Sequence, residues 1–560
     1  MLLLSLLIVP LIGALVVALG SEKESKHVAL GWTLLSVAIA VASVFAFDWS
    51  DAGAVQFEMQ HRWVDAFGLF LWIGADSVSL LLVLLTALLG PICVLGSYSA
   101  VHERQKLYYA SLLALQALVT GVFIAQDVVM FYVFFELTLA PMFVLIRQWG
   151  GANRRKASIK FFLYTFTGSI LTLAGLVFLT YWRTKTPGAT WSFSLLYLSD
   201  TARLMPVEYQ RWVLGAMLAG FAVKVPLFPL HTWLPLAHTE APTAGSVVLA
   251  GVLLKLGTYA IYRLAMPLAP EAFVEFAPYV AGASLVGIIY AGLICWTQRD
   301  VKKLVAYSSV SHLGFCILGL VAMNAVGVGG SVMYMINHGL STGALFLCIG
   351  MIYERYHTRD MDELGGLATK MPVWSFFMVF FAMASVGLPG LNGFVSEFMC
   401  MLGAFQAGAA WGPGGTGGVL GPWFAVIAAT GMVVAAMYIL YMVGKIVFGP
   451  YKEPRGHHAH ETLPTDLNMR EITVLTPLAV ACLVLGLYPT PVLRAIEAPI
   501  AVQLTHVERF FPTNEETPAP APTDSHDDHS GHDHDDHTGH DHGAAPVAGE
   551  PLASAEGASR

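Results

Sequence analysis

Long apolar runs dominate the chain. Fourteen stretches of about twenty residues, the length a helix needs to cross a bilayer's hydrocarbon core, follow one another between short polar breaks. They span 2–20, 27–47, 75–98, 108–125, 127–147, 160–182, 212–236, 244–265, 273–296, 303–322, 327–353, 372–406, 420–447 and 472–490. Backbone surrounded by lipid must satisfy its own N–H and C=O groups, and runs this long without alternation do so as helices. The expected fold is therefore an all-α polytopic membrane protein. Two runs depart from the pattern. The seventh is interrupted by Pro226, Pro229 and Pro235, and the twelfth carries "GLPGLNG" (387–393) in its middle.

Composition agrees. Only 12% of residues are charged, against about 25% in soluble domains. The net charge of −8 comes from the end of the chain: residues 513–560 hold 11 Asp/Glu and one Arg, which leaves the rest at +2. No basic face for nucleic acid follows. Six cysteines stand singly in apolar segments without a C-x-x-C pair, which argues against zinc, iron–sulfur or disulfide frameworks. "GPGGTG" (412–417) matches G-x-G-x-x-G but lacks a preceding strand, and no Walker A motif is present. The chain is thus expected to hold no cofactor of its own. Its apolar start lacks a basic n-region and reads as an uncleaved first span.

Basic residues orient the spans. Loops after odd-numbered spans, with their flanks, hold 19 Lys/Arg and the opposite side holds 9, with "RRKASIK" (154–160) the densest cluster. The odd-loop side is then cytoplasmic, and both termini face outward, periplasmic in a Gram-negative bacterium. The tail "DSHDDHSGHDHDDHTGHDHG" (524–543) is acidic and cannot bury a core. Its histidines (His526, His529, His532, His534, His537, His540 and His542) have the donor chemistry for Zn²⁺, Cu²⁺ or Ni²⁺. Composition is weak evidence for a metal site; the preferred reading is a disordered solubilising tail, and no specific metal is assigned.

Ionisable groups within spans are expensive and mark function by default. Glu136 lies in "FYVFFELTLAPMFVLI", Lys224 in "FAVKVPLFPLHTWLPLAHTEAP", Lys255 in "VVLAGVLLKLGTYAIYR" and Glu397 in "GLPGLNGFVSEFMCML". His231 and His238 follow Lys224, while His312 and His338 lie in spans 10 and 11. Lone histidines commonly serve as interhelical glue. Two glutamates and two lysines in four separate spans suit a proton relay better. A buried lysine near a glutamate holds or loses its proton according to whether the pair is closed, and histidines with water bridge gaps in the same pH range.

The interruptions serve the same end. Proline removes a backbone donor, and non-helical backbone at membrane depth survives only inside protein or beside a wet cavity. Broken helices at corresponding positions of two halves point to a midplane ion path. Here they are helices 7 and 12, which suggests repeats of spans 4–8 and 9–13.

At these residues the sequence resembles the proton-conducting, antiporter-like subunits of respiratory complex I over nearly its whole length. "SSVSHLGF", "NHGLSTGALFLCIGMIYERYHTRDMDELGGL", "GLPGLNGFVSEF" and "DLNMRE" (466–471) resemble its chain M/mitochondrial subunit 4 family in particular. The resemblance implies 14 helices with two inverted five-helix repeats. It also implies roles: Glu136 and Lys224 as partners, Lys255 as the central lysine, His312 and His338 as the link to the exit, and Glu397 as the exit-side group. His231 and His238 are expected on an entry path. The relatives that carry lysine at the last position are chains L and N and the Mrp antiporter subunits, so a glutamate favours chain M. NADH, FMN, iron–sulfur clusters and quinone are expected on other subunits. Chain L-like and chain N-like neighbours and the lipid bilayer are the expected partners. The tail departs from the family pattern.

The implied organisation is a three-helix segment (1–107), two repeats (108–265 and 273–447), a cytoplasmic loop with the last helix (448–510) and the tail (511–560). Three functions compete. A proton-pumping subunit predicts that neutralising Glu136 or Lys224 uncouples pumping. A cation/proton antiporter of an Mrp-like or hydrogenase-linked complex predicts Na⁺/H⁺ exchange without a redox partner. A structural spacer predicts that all four charges are dispensable.

Overall fold

In the computed structural model, residues 1–64, 68–408, 417–452 and 465–511 are described. "GPGGTG" up to residue 416 and the histidine-rich tail, with all seven of its candidate ligands, lie outside them. Among the described residues, twelve helices are long and apolar enough to cross a membrane. They run from Leu2–Leu19 through Met469–Leu487 and match, within a few residues, twelve of the expected spans. The other two expected spans are the interrupted ones.

The seventh divides into helix Val207–Lys224, an irregular stretch and helix Leu234–Glu240. The twelfth divides into Pro372–Val386 and Asn392–Gln406. Each break settles its freed backbone groups locally, as burial requires. In the first, the Trp233 indole donates to the Val223 carbonyl at 2.8 Å, and Lys160 Nζ donates to Thr232 at 2.9 Å. In the second, Gly387 takes φ +82°, the left-handed helix-ending conformation suited to glycine. Its N–H and that of Leu388 both return to the Met383 carbonyl.

Burial sorts the helices. Thr243–Leu268 and Ala325–Tyr356 are enclosed along their apolar windows, and Val301–Val321 nearly so. The first two helices are covered only in part, with Leu15, Leu34 and Phe45 turned outward. Lipid is as apolar as these side chains, so their exposure carries no penalty there. The three enclosed helices bear Lys255, His312 and His338. All six cysteines are buried and unpaired, in keeping with their reading as small core residues.

Four features go beyond the helical expectation. Gln56–Val64 and Leu69–Ala75 pair antiparallel, with Gln56 opposite Ala75 and two register irregularities. This segment is rich in aromatic and branched residues and too short to span. Leu195–Leu204 forms a short helix between spans 6 and 7. Thr490–Leu504 adds a helix after the last expected span. The span bearing Lys255 contains two π-helical turns, Leu249–Leu253 and Ile261–Ala265.

Candidate functional site

Lys224 is the last residue of its half-helix. The chain's turn at Val225–Leu227 holds it at a helix C-terminus, where the exposed carbonyl ends favour a cation. The residue is 3% exposed. Its Nζ donates to the Phe135 carbonyl at 3.2 Å and to Thr138 Oγ1 at 3.4 Å, and it lies 4.1 Å from the centre of the Phe135 ring. Phe135 and Thr138 flank Glu136, and Thr138 is the irregular residue between helices Val128–Leu137 and Leu139–Trp149. The Glu136 carboxylate oxygens are enclosed without a hydrogen bond of ordinary length, facing Ser169 and the Lys224 charge. Lysine and glutamate are thus neighbours in an open arrangement, with the ammonium held by the backbone beside the carboxylate.

Lys255 is fully buried. The preceding π-turn displaces the backbone ladder, and Lys255 Nζ donates to the Ala250 carbonyl within that turn. π-turns of this kind recur at functional sites. The same ammonium meets His338 Nδ1 at 2.7 Å. Two residues on, Gly257 allows the helix to approach the first break: a Cβ there would lie 2.6 Å from Val225 Cγ2 and 2.9 Å from the Val225 nitrogen. The break at Lys224 and the Lys255 helix are therefore in backbone contact.

Glu397 is 1% exposed. It stands in the second turn of the second half-helix of its span, Asn392–Gln406. Its Oε1 accepts from Tyr334 and lies 3.0 Å from His312 Nδ1. His312 also meets Tyr334 Oη at 2.9 Å and Tyr438 Oη at 3.3 Å. Glu397 Oε2 occupies the space a Cβ on Gly387 would need, 2.8 Å away. The missing side chain at the break is what admits the carboxylate.

The expected residues form two contacts rather than one wire: Lys255 with His338, and His312 with Glu397. Between them the imidazole centres are 6.1 Å apart. A void lined by His312, Tyr334, His338, Ser341, Thr342 and Ser385 separates them, too tight for water in this arrangement. His338 Nε2 and Ser385 Oγ have no hydrogen-bond partner.

The two expected entry histidines differ. His238 is fully buried, stacked 4.6 Å from Phe346, and both ring nitrogens lack partners. The charges of Lys302 and Lys255 both act on it. His231 stacks on Phe228 beside Tyr290 and borders the first break, with only Lys160 among charged groups acting on it.

Several polar residues escaped the sequence reading. Tyr334, one turn from His338, completes the Glu397 site. Lys302 reads as a loop residue of a basic cluster, yet it is 7% exposed and donates to the Ala241 carbonyl at 2.5 Å. Glu240 is equally enclosed and accepts from the Asn153 backbone at 2.8 Å. Arg263 pairs with Asp76 at 2.8 Å, both buried, and reaches Gln126 at 3.0 Å. Each sits at the end of an apolar run, where a charge looks like a solvated flank. Aspartate as a helix N-cap in "ADSVS" was the available signal for Asp76.

The family model described as NADH:quinone oxidoreductase/Mrp antiporter, transmembrane region, matches residues 125–420. The NADH-quinone oxidoreductase subunit M of Rhodobacter capsulatus is 39% identical, over 87% of this chain and 92% of its own. The NADH-ubiquinone oxidoreductase chain 4 of Marchantia polymorpha is 35% identical, over 90% and 96%. Among solved structures, a chain of respiratory complex I from Thermus thermophilus with bound NADH superposes with a TM-score of 0.79 and 27% identity. That match covers 90% of this chain and all of the other. The Mrp complex from Dietzia shares the fold at a TM-score of 0.75, with 22% identity.

Proposed function

Because this chain belongs to the NADH:quinone oxidoreductase/Mrp antiporter family, we infer that it is a membrane-arm subunit of an NADH–quinone oxidoreductase that moves protons across the membrane. Electron transfer takes place elsewhere in that enzyme. NADH, FMN, iron–sulfur clusters and quinone belong to other subunits, and this chain contributes a non-redox translocating part. Its neighbours are chain L-like and chain N-like subunits, in a bacterial inner membrane with both termini outward.

One observation carries the residue assignment: buried ionisable side chains gather around the two helix breaks, Lys255 on His338 and His312 on Glu397, with Lys224 and Glu136 side by side at the first break. Lys255 is the central proton carrier. It is held between the Ala250 carbonyl of the π-turn and His338 Nδ1, so it can pass a proton to that ring without travelling. His338 and His312 must come within reach of each other, or of a water admitted between them, before the proton goes on. Glu397, already joined to His312, is the next acceptor.

Glu136 and Lys224 act at the other end. In the open arrangement Lys224 is held by carbonyl and hydroxyl oxygens. Closing it onto Glu136 would draw positive charge away from the Val225–Gly257 contact and so from Lys255. Removing a nearby cation favours protonation of Lys255, and returning it favours release. The pair works as an electrostatic lever. His238, between Lys302 and Lys255, is placed for entry, and His231 supports the break.

Measurement of proton-to-electron stoichiometry in membrane vesicles tests this. Glu136→Gln and Lys224→Ala should each lower it while leaving assembly intact. NADH oxidation by an artificial acceptor should persist. Normal stoichiometry in either variant overturns the assignment.

A further inference from the structure

One sizeable cavity among the described residues plays no part in the relay. It is an open, apolar groove of about 640 Å³ running along the outer side of Pro372–Val386. Phe376, Val379, Phe380 and Met383 share one helix face and form its floor. Val447, Phe448 and Leu483 form the opposite wall, and Leu388–Leu391 of the second break close its far end.

Two further observations point to a ligand. Ser375, one turn into the helix, lines the groove and is 5% exposed, and its hydroxyl has no partner. Lys370, just beyond the near end, is exposed and stands 5.6 Å from the Tyr451 ring centre. Among the described residues Lys370 makes no ion pair. The carboxylates nearby are already engaged: Asp466 accepts the Val373 and Trp374 N–H groups, and Asp362 pairs with Lys445 at 2.5 Å.

We propose that this groove binds one acyl chain of an anionic phospholipid, with its phosphate at Lys370 and its ester carbonyl at Ser375. The dimensions select the occupant. Fifteen helical residues span about 22 Å, and a transmembrane helix of that length, about 10 Å wide, would fill roughly 1,700 Å³. The groove holds well under half of that, which suits a single hydrocarbon chain and leaves a neighbouring helix outside. The order of chemistry along the wall, cation then hydroxyl then uninterrupted apolar surface, is that of a phospholipid read from headgroup to tail. The tail ends against Leu388–Leu391, next to Gly387 and hence to Glu397.

The site is independent of the proton assignment and is tested by binding. The intact complex, delipidated and returned to nanodiscs of phosphatidylglycerol with dibrominated acyl chains, should show ordered bromine density between Phe380 and Leu391. Phosphatidylglycerol should be retained several-fold over phosphatidylcholine by native mass spectrometry. Lys370→Glu should remove that preference, and Val379→Trp, which fills the floor, should remove the bromine density. An empty groove, a protein helix seated in it, or equal retention of the two lipids by the parent and Lys370→Glu complexes overturns the proposal. Val379→Trp adds an apolar side chain at a lipid-facing position, so thermal dissociation of the complex should match the parent. If it does not, the Lys370→Glu comparison decides.

Discussion

The two helix breaks present opposite solutions to one problem. At the first, a lysine ends the half-helix before the gap; at the second, a glutamate stands early in the half-helix after it. Only the lysine lies at a helix end whose dipole favours it; the glutamate sits a turn inside its helix and relies on side-chain partners. The closing contacts differ. Lys224 has long hydrogen bonds to a carbonyl and a hydroxyl and no ion pair with Glu136, whereas Glu397 is clasped by Tyr334 and His312. The cation at the first break is loosely held, and the carboxylate at the second is closely held. The proposed relay uses both: a mobile charge that would set affinity and a fixed site that would receive the proton.

Substitutions can break or sharpen this contrast. The largest effect should come from Glu397→Ala, which leaves the Tyr334 hydroxyl and His312 facing a buried void. Removing one partner of an enclosed pair costs roughly 3–5 kcal/mol. The complex should lose pumping and dissociate at lower temperature, as followed by thermal dissociation in detergent. Lys224→Met should also lose most pumping, yet change dissociation far less, because its partners are weakly held. Equal thermal losses in the two variants would erase the distinction between a mobile and a clasped charge.

Gly387→Ala comes next. It forces a Cβ into left-handed backbone and toward Glu397 Oε2, at a cost of about 1–2 kcal/mol. Pumping should fall while Lys224-dependent steps stay intact, measured as stoichiometry in the double variant with Lys224→Ala. Tyr334→Phe should be smallest. It removes one donor while His312 keeps Glu397, a loss of about 1 kcal/mol readable as a few-fold slower pumping at unchanged stoichiometry.

Residue by residue, legibility followed the price of burial. Lys224, Lys255, Glu136 and Glu397 were visible because a charge inside a long apolar run has few innocent explanations. His312 and His338 were visible through their motifs. Lys302, Glu240, Arg263 and Asp76 were hidden because a charge at the edge of a run looks solvated until neighbouring helices cover it. Tyr334 was hidden because tyrosine is unremarkable in a membrane helix. The paired strands Gln56–Val64 and Leu69–Ala75 are hidden from helix counting because they lie in a connection between spans.

The amino-acid sequence by itself determined the number and order of apolar runs, the two interruptions and the expensive charges. Those follow from local length, proline chemistry and the cost of ionising a group in hydrocarbon, none of which needs a neighbour. Only the tertiary structure decided which charges touch. It placed Lys255 on His338 through a π-turn, Glu397 in the space left by Gly387, and Lys224 beside rather than on Glu136. It also left a gap between the two histidines. Such contacts depend on where helices far apart in sequence cross, and a helix crossing is set by the packing of both partners at once.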